Sequence, residues 1–177
     1  MKRAPMLIAL AIALTPPAHG QAPVQAATTK PIGALAWMVG GTWTADASSW
    51  GGGLKQIETR YVWADNDAFI RFTTHFIMDK GTIKNYDGNF FWNRDQSTLS
   101  MWYMDARNAI TQSPVTVNGD TVVMKFHGPD FEGKPADLRV TLTRKDNDLY
   151  NWLVEETSPD GGWKKLVTVD YRRLPSL

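Results

Sequence analysis

The chain of 177 residues contains no cysteine. That excludes disulfides, thiolate metal sites and a lipid anchor on an N-terminal cysteine, so a domain working outside the reducing cytosol is held together by burial alone. An excess of one charge is missing as well. The 19 Lys and Arg stand against 18 Asp and Glu, a formal charge of +1, and a nucleic-acid partner would require a basic stripe. Only three histidines occur, His19, His75 and His127, and none has a second ligand nearby in sequence, so no metal and no cofactor is expected. The mostly apolar run Ala4 to Leu14 falls short of the about 20 residues that span a bilayer, so no membrane anchor is expected. There is no Asn-x-Ser/Thr acceptor.

What is present begins with Met1-Lys2-Arg3, that apolar run, and "TPPAHGQA". A positive start, an apolar centre and a small-residue cleavage zone describe a Sec-type signal peptide over 1–20, with cleavage after Gly20 or as far as residue 26. The expected destination is the periplasm or the medium. Without Lys2 and Arg3 the +1 balance becomes −1. Residues 21–30 are mostly Ala, Gln, Thr and Pro without periodicity, which reads as a flexible leader. One domain is then expected over 31–177.

"PIGALAWMV" gathers Leu35, Trp37, Met38 and Val39 behind a proline suited to a first helical turn, which predicts a short N-terminal helix ending at Gly40-Gly41. Strands are predicted over 42–49, 54–64, 68–78, 82–92, 97–105, 108–117, 121–128, 137–145, 149–157 and 163–173, separated by turns such as "WGGG", "VNGD" and "SPDGG". Ten strands joined by tight turns would leave two open edges, and closure removes them. The expected fold is all-β, an antiparallel up-and-down barrel of about ten strands. In "IETRYVW", Ile57, Thr59, Tyr61 and Trp63 alternate with Glu58, Arg60 and Val62. "FIRFTTHFIM" and "NFFWN" are apolar on both faces, so either the interior is lined with aromatics or part of the outside is covered.

A helical turn, Gly41-Thr42-Trp43, about ten strands and a final "VDYRRL" together resemble the calycin superfamily of lipocalins and fatty-acid-binding proteins. Over Leu35 to Leu174, "GTW", "ETRYVW", "YDGNFFWN", "LSMWYMD" and "DGGWKKLVTVDYRR" look most like a bacterial group of lipocalin-like domains of unknown function. The resemblance implies that Trp43, after Gly41, plugs one barrel end against a basic side chain of the last strand, Arg172 or Arg173. A guanidinium over an indole contributes about 0.5–2 kcal/mol. Related nitrobindin-like barrels hold haem through a histidine near the C-terminus; this chain has none after His127.

A barrel of this strand number keeps a cavity, and eight Trp, seven Phe and five Tyr are available to line it. The candidate lining is Tyr61, Trp63, Phe72 and Phe90, with Trp92, Trp102 and Tyr103. Arg60, Arg71 or His75 would orient a polar end of the ligand; alternatively Glu58, Arg60, Arg71 and His75 form an outer ladder of charge pairs. The expected function is enclosure of a small, largely apolar molecule. One competitor is proton-transfer chemistry by His75 with Glu58 in the same cavity. Another is a protein-interaction module, a homodimer included, built on an exposed aromatic face. The two "DND" triplets, at 65–67 and 146–148, lack the distal glutamate of a calcium loop and read as turns. "WGGGLK" lacks the ending of a phosphate loop, and no serine sits in a nucleophile elbow.

Overall fold

A computed structural model describes residues 31–64, 67–130 and 132–174. The expected signal peptide and leader, and Asp65 and Asn66 of the first Asp-Asn-Asp triplet, lie outside the described residues. Ten strands succeed one another: β1 (Thr42–Asp46), β2 (Leu54–Ala64), β3 (Phe69–Met78), β4 (Gly81–Asn93), β5 (Thr98–Asp105), β6 (Ile110–Asn118), β7 (Thr121–Pro129), β8 (Pro135–Arg144), β9 (Leu149–Thr157) and β10 (Trp163–Leu174). Each pairs antiparallel with its sequence neighbours, and β1 also pairs with β10, which closes the barrel. β2 and β9 occupy their expected spans. β1 is shorter than expected because Ser48–Trp50 coil into a 3-10 turn.

The expected N-terminal helix takes a different form. Pro31–Met38 is a 3-10 helix and no α-helical turn forms there. Its buried side chains, Ile32, Leu35 and Met38, recur every three residues, which matches three residues per turn. Eight residues is long for an isolated 3-10 helix, and burial of that one face against the barrel end is what holds it.

Three irregularities set which side chains point inward. Register shifts lie between Leu54 and Gln56 in β2, between Lys84 and Tyr86 in β4, where Asn85 is the extra residue opposite Thr74 and His75, and between Lys165 and Val167 in β10. An extra residue reverses the facing of every side chain beyond it on the strand. Pro114 sits inside β6, where it lacks a backbone donor. The β6–β7 ladder runs from Asn118–Thr121 to Val115–Met124 and stops there. Beyond it the Ser113 hydroxyl donates to the Lys125 carbonyl (2.9 Å) and accepts from the Lys125 amide (3.1 Å), in place of the missing backbone pairs.

The chain order gives the barrel two unlike ends. The N-terminal 3-10 helix and the β8–β9 turn lie at one. Residues 47–53 and the β5–β6, β7–β8 and β9–β10 connections lie at the other, which is the mouth.

Candidate functional site

The closed end is built around Trp43, which is fully buried. Its indole Nε1 donates to the Met38 carbonyl at 2.7 Å, tying the first strand to the 3-10 helix. Trp37 and Tyr150 meet its ring edge-on, with centroids 6.1 and 4.8 Å away. The guanidinium of Arg173 lies 4.4 Å from the centre of the Trp43 ring. Its Nη1 donates to the carbonyls of Val39 (2.9 Å) and Gly40 (3.3 Å), and its Nη2 to that of Trp37. Those carbonyls sit where the 3-10 helix ends, so one side chain caps both the indole and the helix. Gly41 has φ +69°, and a Cβ there would come within 2.6 Å of the Leu174 carbonyl oxygen. Only glycine lets β1 start this close to β10. Arg172 is exposed on the outer face, so of the two candidates Arg173 occupies the plug.

Above the plug the barrel encloses a cavity of about 390 Å³, within the usual range for a site that takes one small molecule. Two inner aromatic belts shape it. Tyr61, Phe72 and Phe90 form the lower, with centroid separations of 6.1, 6.5 and 5.3 Å. Phe76, Tyr86, Tyr103 and Phe126 succeed one another edge to face along the upper, 5.1–6.2 Å apart. Gly88 makes the belts fit: a Cβ there would lie 2.7 Å from Tyr103 Cβ and 2.8 Å from Phe72 Cζ. Trp50 and Trp152 stack at the mouth with centroids 6.3 Å apart.

All five tyrosines of the chain line this one cavity. Burial raises Tyr61 and Tyr103 to about 12 each, despite hydrogen bonds with Tyr150 and Thr111 respectively. Burial likewise lifts Tyr150, Tyr171 and Tyr86 above the usual phenol range. All five are therefore neutral hydroxyls near neutral pH. The charged lining residues, Asp105, Arg107 and Asp130, belong to the mouth. Burial alone would raise the Asp105 carboxyl, but amide donors from Ala109 and Arg107 and the Arg107 guanidinium hold it below the usual range.

Of the residues expected in the lining, Tyr61, Phe72, Phe90 and Tyr103 are there. Trp63 and Trp92 share the inward parity of Tyr61 and Phe90. They pack against the core nearer the plugged end, outside the cavity. Trp102 corrects the expectation: between inward Met101 and Tyr103 it faces outward, paired with Asn89 and Gln112. Arg60, Arg71 and His75 are corrected in the same way. Arg60 donates to the Thr42 hydroxyl (2.9 Å), and Arg71 and Lys84 pair with Asp87 at 3.0 and 3.1 Å. His75 stands opposite Glu58 on one side and Lys84 on the other. This is the outer charge ladder, and it leaves the His75–Glu58 proton-transfer pair on the wrong side of the wall. Among the described residues no three His, Asp or Glu side chains converge on a metal position. At the second Asp-Asn-Asp triplet, Asp146 Oδ1 accepts from the Asp148 amide at 2.7 Å, as a turn requires.

Thr59, Thr74, Tyr150 and Tyr171 were not expected in the site. The signal was present for Thr59, which alternates with Tyr61. Tyr171 sits two residues from Arg173 and shares its face. The same alternation would bring Lys165 inward; the β10 irregularity instead leaves Lys165 opposite Glu155 and puts Leu166 in the wall.

No known protein family matches the chain, and no curated protein matches it.

Proposed function

We propose that this is an exported lipocalin-like container, of the calycin type, that encloses one small, largely apolar molecule without transforming it. The observation that carries the reading is the 390 Å³ cavity, plugged at one end and reached through loops at the other. Its wall is mostly aromatic and aliphatic with a few placed hydroxyls, the composition of small-molecule sites. The "GTW" and "VDYRR" stretches that carry the family resemblance are the two that meet in the plug, which favours the calycin assignment. Export rests on the charged, apolar and small-residue pattern of residues 1–20, and N-terminal sequencing of the secreted chain tests it.

Titration with an apolar naphthyl fluorophore tests containment. One molecule per chain is expected, and Val140→Trp, which fills the cavity from β8, abolishes uptake while the barrel still unfolds cooperatively. Uptake that survives Val140→Trp would place the fluorophore on the outer surface and defeat the reading. Native mass spectrometry of protein from a periplasmic extract would then show the natural ligand as added mass.

A further inference from the structure

We propose that the cavity selects an uncharged molecule with an apolar body and one terminal hydroxyl or carbonyl group, seated on a floor made by Thr59, Tyr61, Thr74, Tyr150 and Tyr171. This rests on the container reading above and adds the chemistry of what is contained. The floor adjoins the plug through Tyr150 and Thr59. Tyr150 packs against Trp43 on one side and stacks on Tyr171 at 4.9 Å, 8° from parallel, on the other. Thr59 stands opposite both Trp43 and Thr74 in the sheet.

Five hydroxyls converge there with capacity left over. The Thr59 and Thr74 hydroxyls are 2.9 Å apart, and Tyr171 is hydrogen-bonded to Thr59. Those of Tyr61 and Tyr150 are 3.4 Å apart, well beyond the about 2.8 Å of a good hydroxyl–hydroxyl bond. Each hydroxyl can both donate and accept, so an entering oxygen finds both donors and acceptors.

Charge decides between an anion and a neutral group. Among the described residues no Lys, Arg, His, Asp or Glu lines the floor or the apolar wall of Phe72, Phe90, Met101, Leu138 and Val140 around it. A carboxylate on the floor would lose its hydration with no cation to replace it. Of the charged residues that line the cavity where it opens, Arg107 is paired with Asp105, and Asp130 leaves that lining with a net negative charge that disfavours an anion. The arginines that could have held a carboxylate, Arg60 and Arg71, are committed to Thr42 and Asp87 outside. The phenols keep their protons at neutral pH, so the floor carries no charge of its own.

Three probes on one ring system separate the possibilities: naphthol, naphthalene and naphthoate, titrated at neutral pH by quenching of tryptophan fluorescence. Naphthol is expected to bind at least about tenfold more tightly than naphthoate. Thr59→Val and Tyr150→Phe each remove a hydroxyl at nearly constant shape, and each is expected to weaken naphthol about threefold to tenfold while naphthalene is unchanged or tighter. The two variants lie on different strands, and thermal unfolding reports whether each is folded. Naphthoate binding as tightly as naphthol would overturn the selection of a neutral group while leaving the container intact. Equal losses for naphthol and naphthalene in a folded variant would overturn recognition by the floor hydroxyls. Failure of all three to bind would remove the container reading itself, and this inference with it.

Discussion

The two ends of the barrel are made from the same kinds of residue and do opposite things. At the plugged end a tryptophan, a guanidinium and the carbonyls ending a 3-10 helix satisfy one another: Trp43 donates to Met38, and Arg173 to Trp37, Val39 and Gly40. At the mouth Trp50 and Trp152 stack on each other, and Asp105 pairs with Arg107, whose side chain is 63% exposed. The lesson is that aromatic content does not distinguish a closure from an entrance. What distinguishes them is whether polar partners are spent on backbone groups, which fixes the element, or are left facing water and cavity, where a ligand can use them.

Alkali is expected to act most strongly, and on the floor. Folded Tyr61 titrates at about 12 against about 10 for an unfolded tyrosine. Below pH 10 both states hold the proton and the stability is intact. Between pH 10 and 12 the unfolded chain has lost the proton that the folded chain keeps, so stability falls as pH rises. The difference corresponds to about 3 kcal/mol. All five tyrosines are raised, and a domain has only about 5–15 kcal/mol to lose. Tyrosinate absorbance should therefore appear together with loss of near-ultraviolet circular dichroism as the barrel opens. Gradual tyrosine titration in a barrel that stays folded would contradict the buried floor.

Trp43→Ala comes next, with an expected loss of about 3–5 kcal/mol in urea unfolding. Trp50→Ala at the mouth should cost about 1 kcal/mol and alter ligand entry. Similar losses at the two positions would erase the contrast between the ends. The adjacent arginines offer a finer version of the same test. Arg173→Met removes the group over the indole and the donors to three carbonyls, for about 2–3 kcal/mol. Arg172→Met should stay within about 0.5 kcal/mol, so the pair reads the barrel's register directly. The smallest effect belongs to Arg107→Ala, about 0–1 kcal/mol in stability because the ion pair is largely hydrated. Faster uptake of anionic probes by that variant would show that Arg107 does not serve to draw them in.

The strands could be read from the sequence because what starts and ends them is local. Runs of alternating apolar residues broken by "VNGD", "KDND" or "SPDGG" locate hairpins whatever the rest of the chain does. The short helix could be placed but not typed: the spacing of Ile32, Leu35 and Met38 is also compatible with part of an α-helical face, and the three-residue period shows only once the surface that buries them is known. Site residues were legible where a strand keeps strict alternation, as for Tyr61 in β2. They were misread where one large residue stands beside another, as for Trp102 between Met101 and Tyr103.

Amino-acid order alone determined the all-β class and the ten strand positions, because turn chemistry and two-residue alternation act over a few residues. Tertiary structure decided that Arg173 rather than Arg172 covers the indole, that the charges of β2 and β3 face water, and that five tyrosines share one chamber. The physical reason is that inside and outside are set by register around the whole closed sheet, and one extra residue, as between Lys165 and Val167, turns a lysine out and a leucine in.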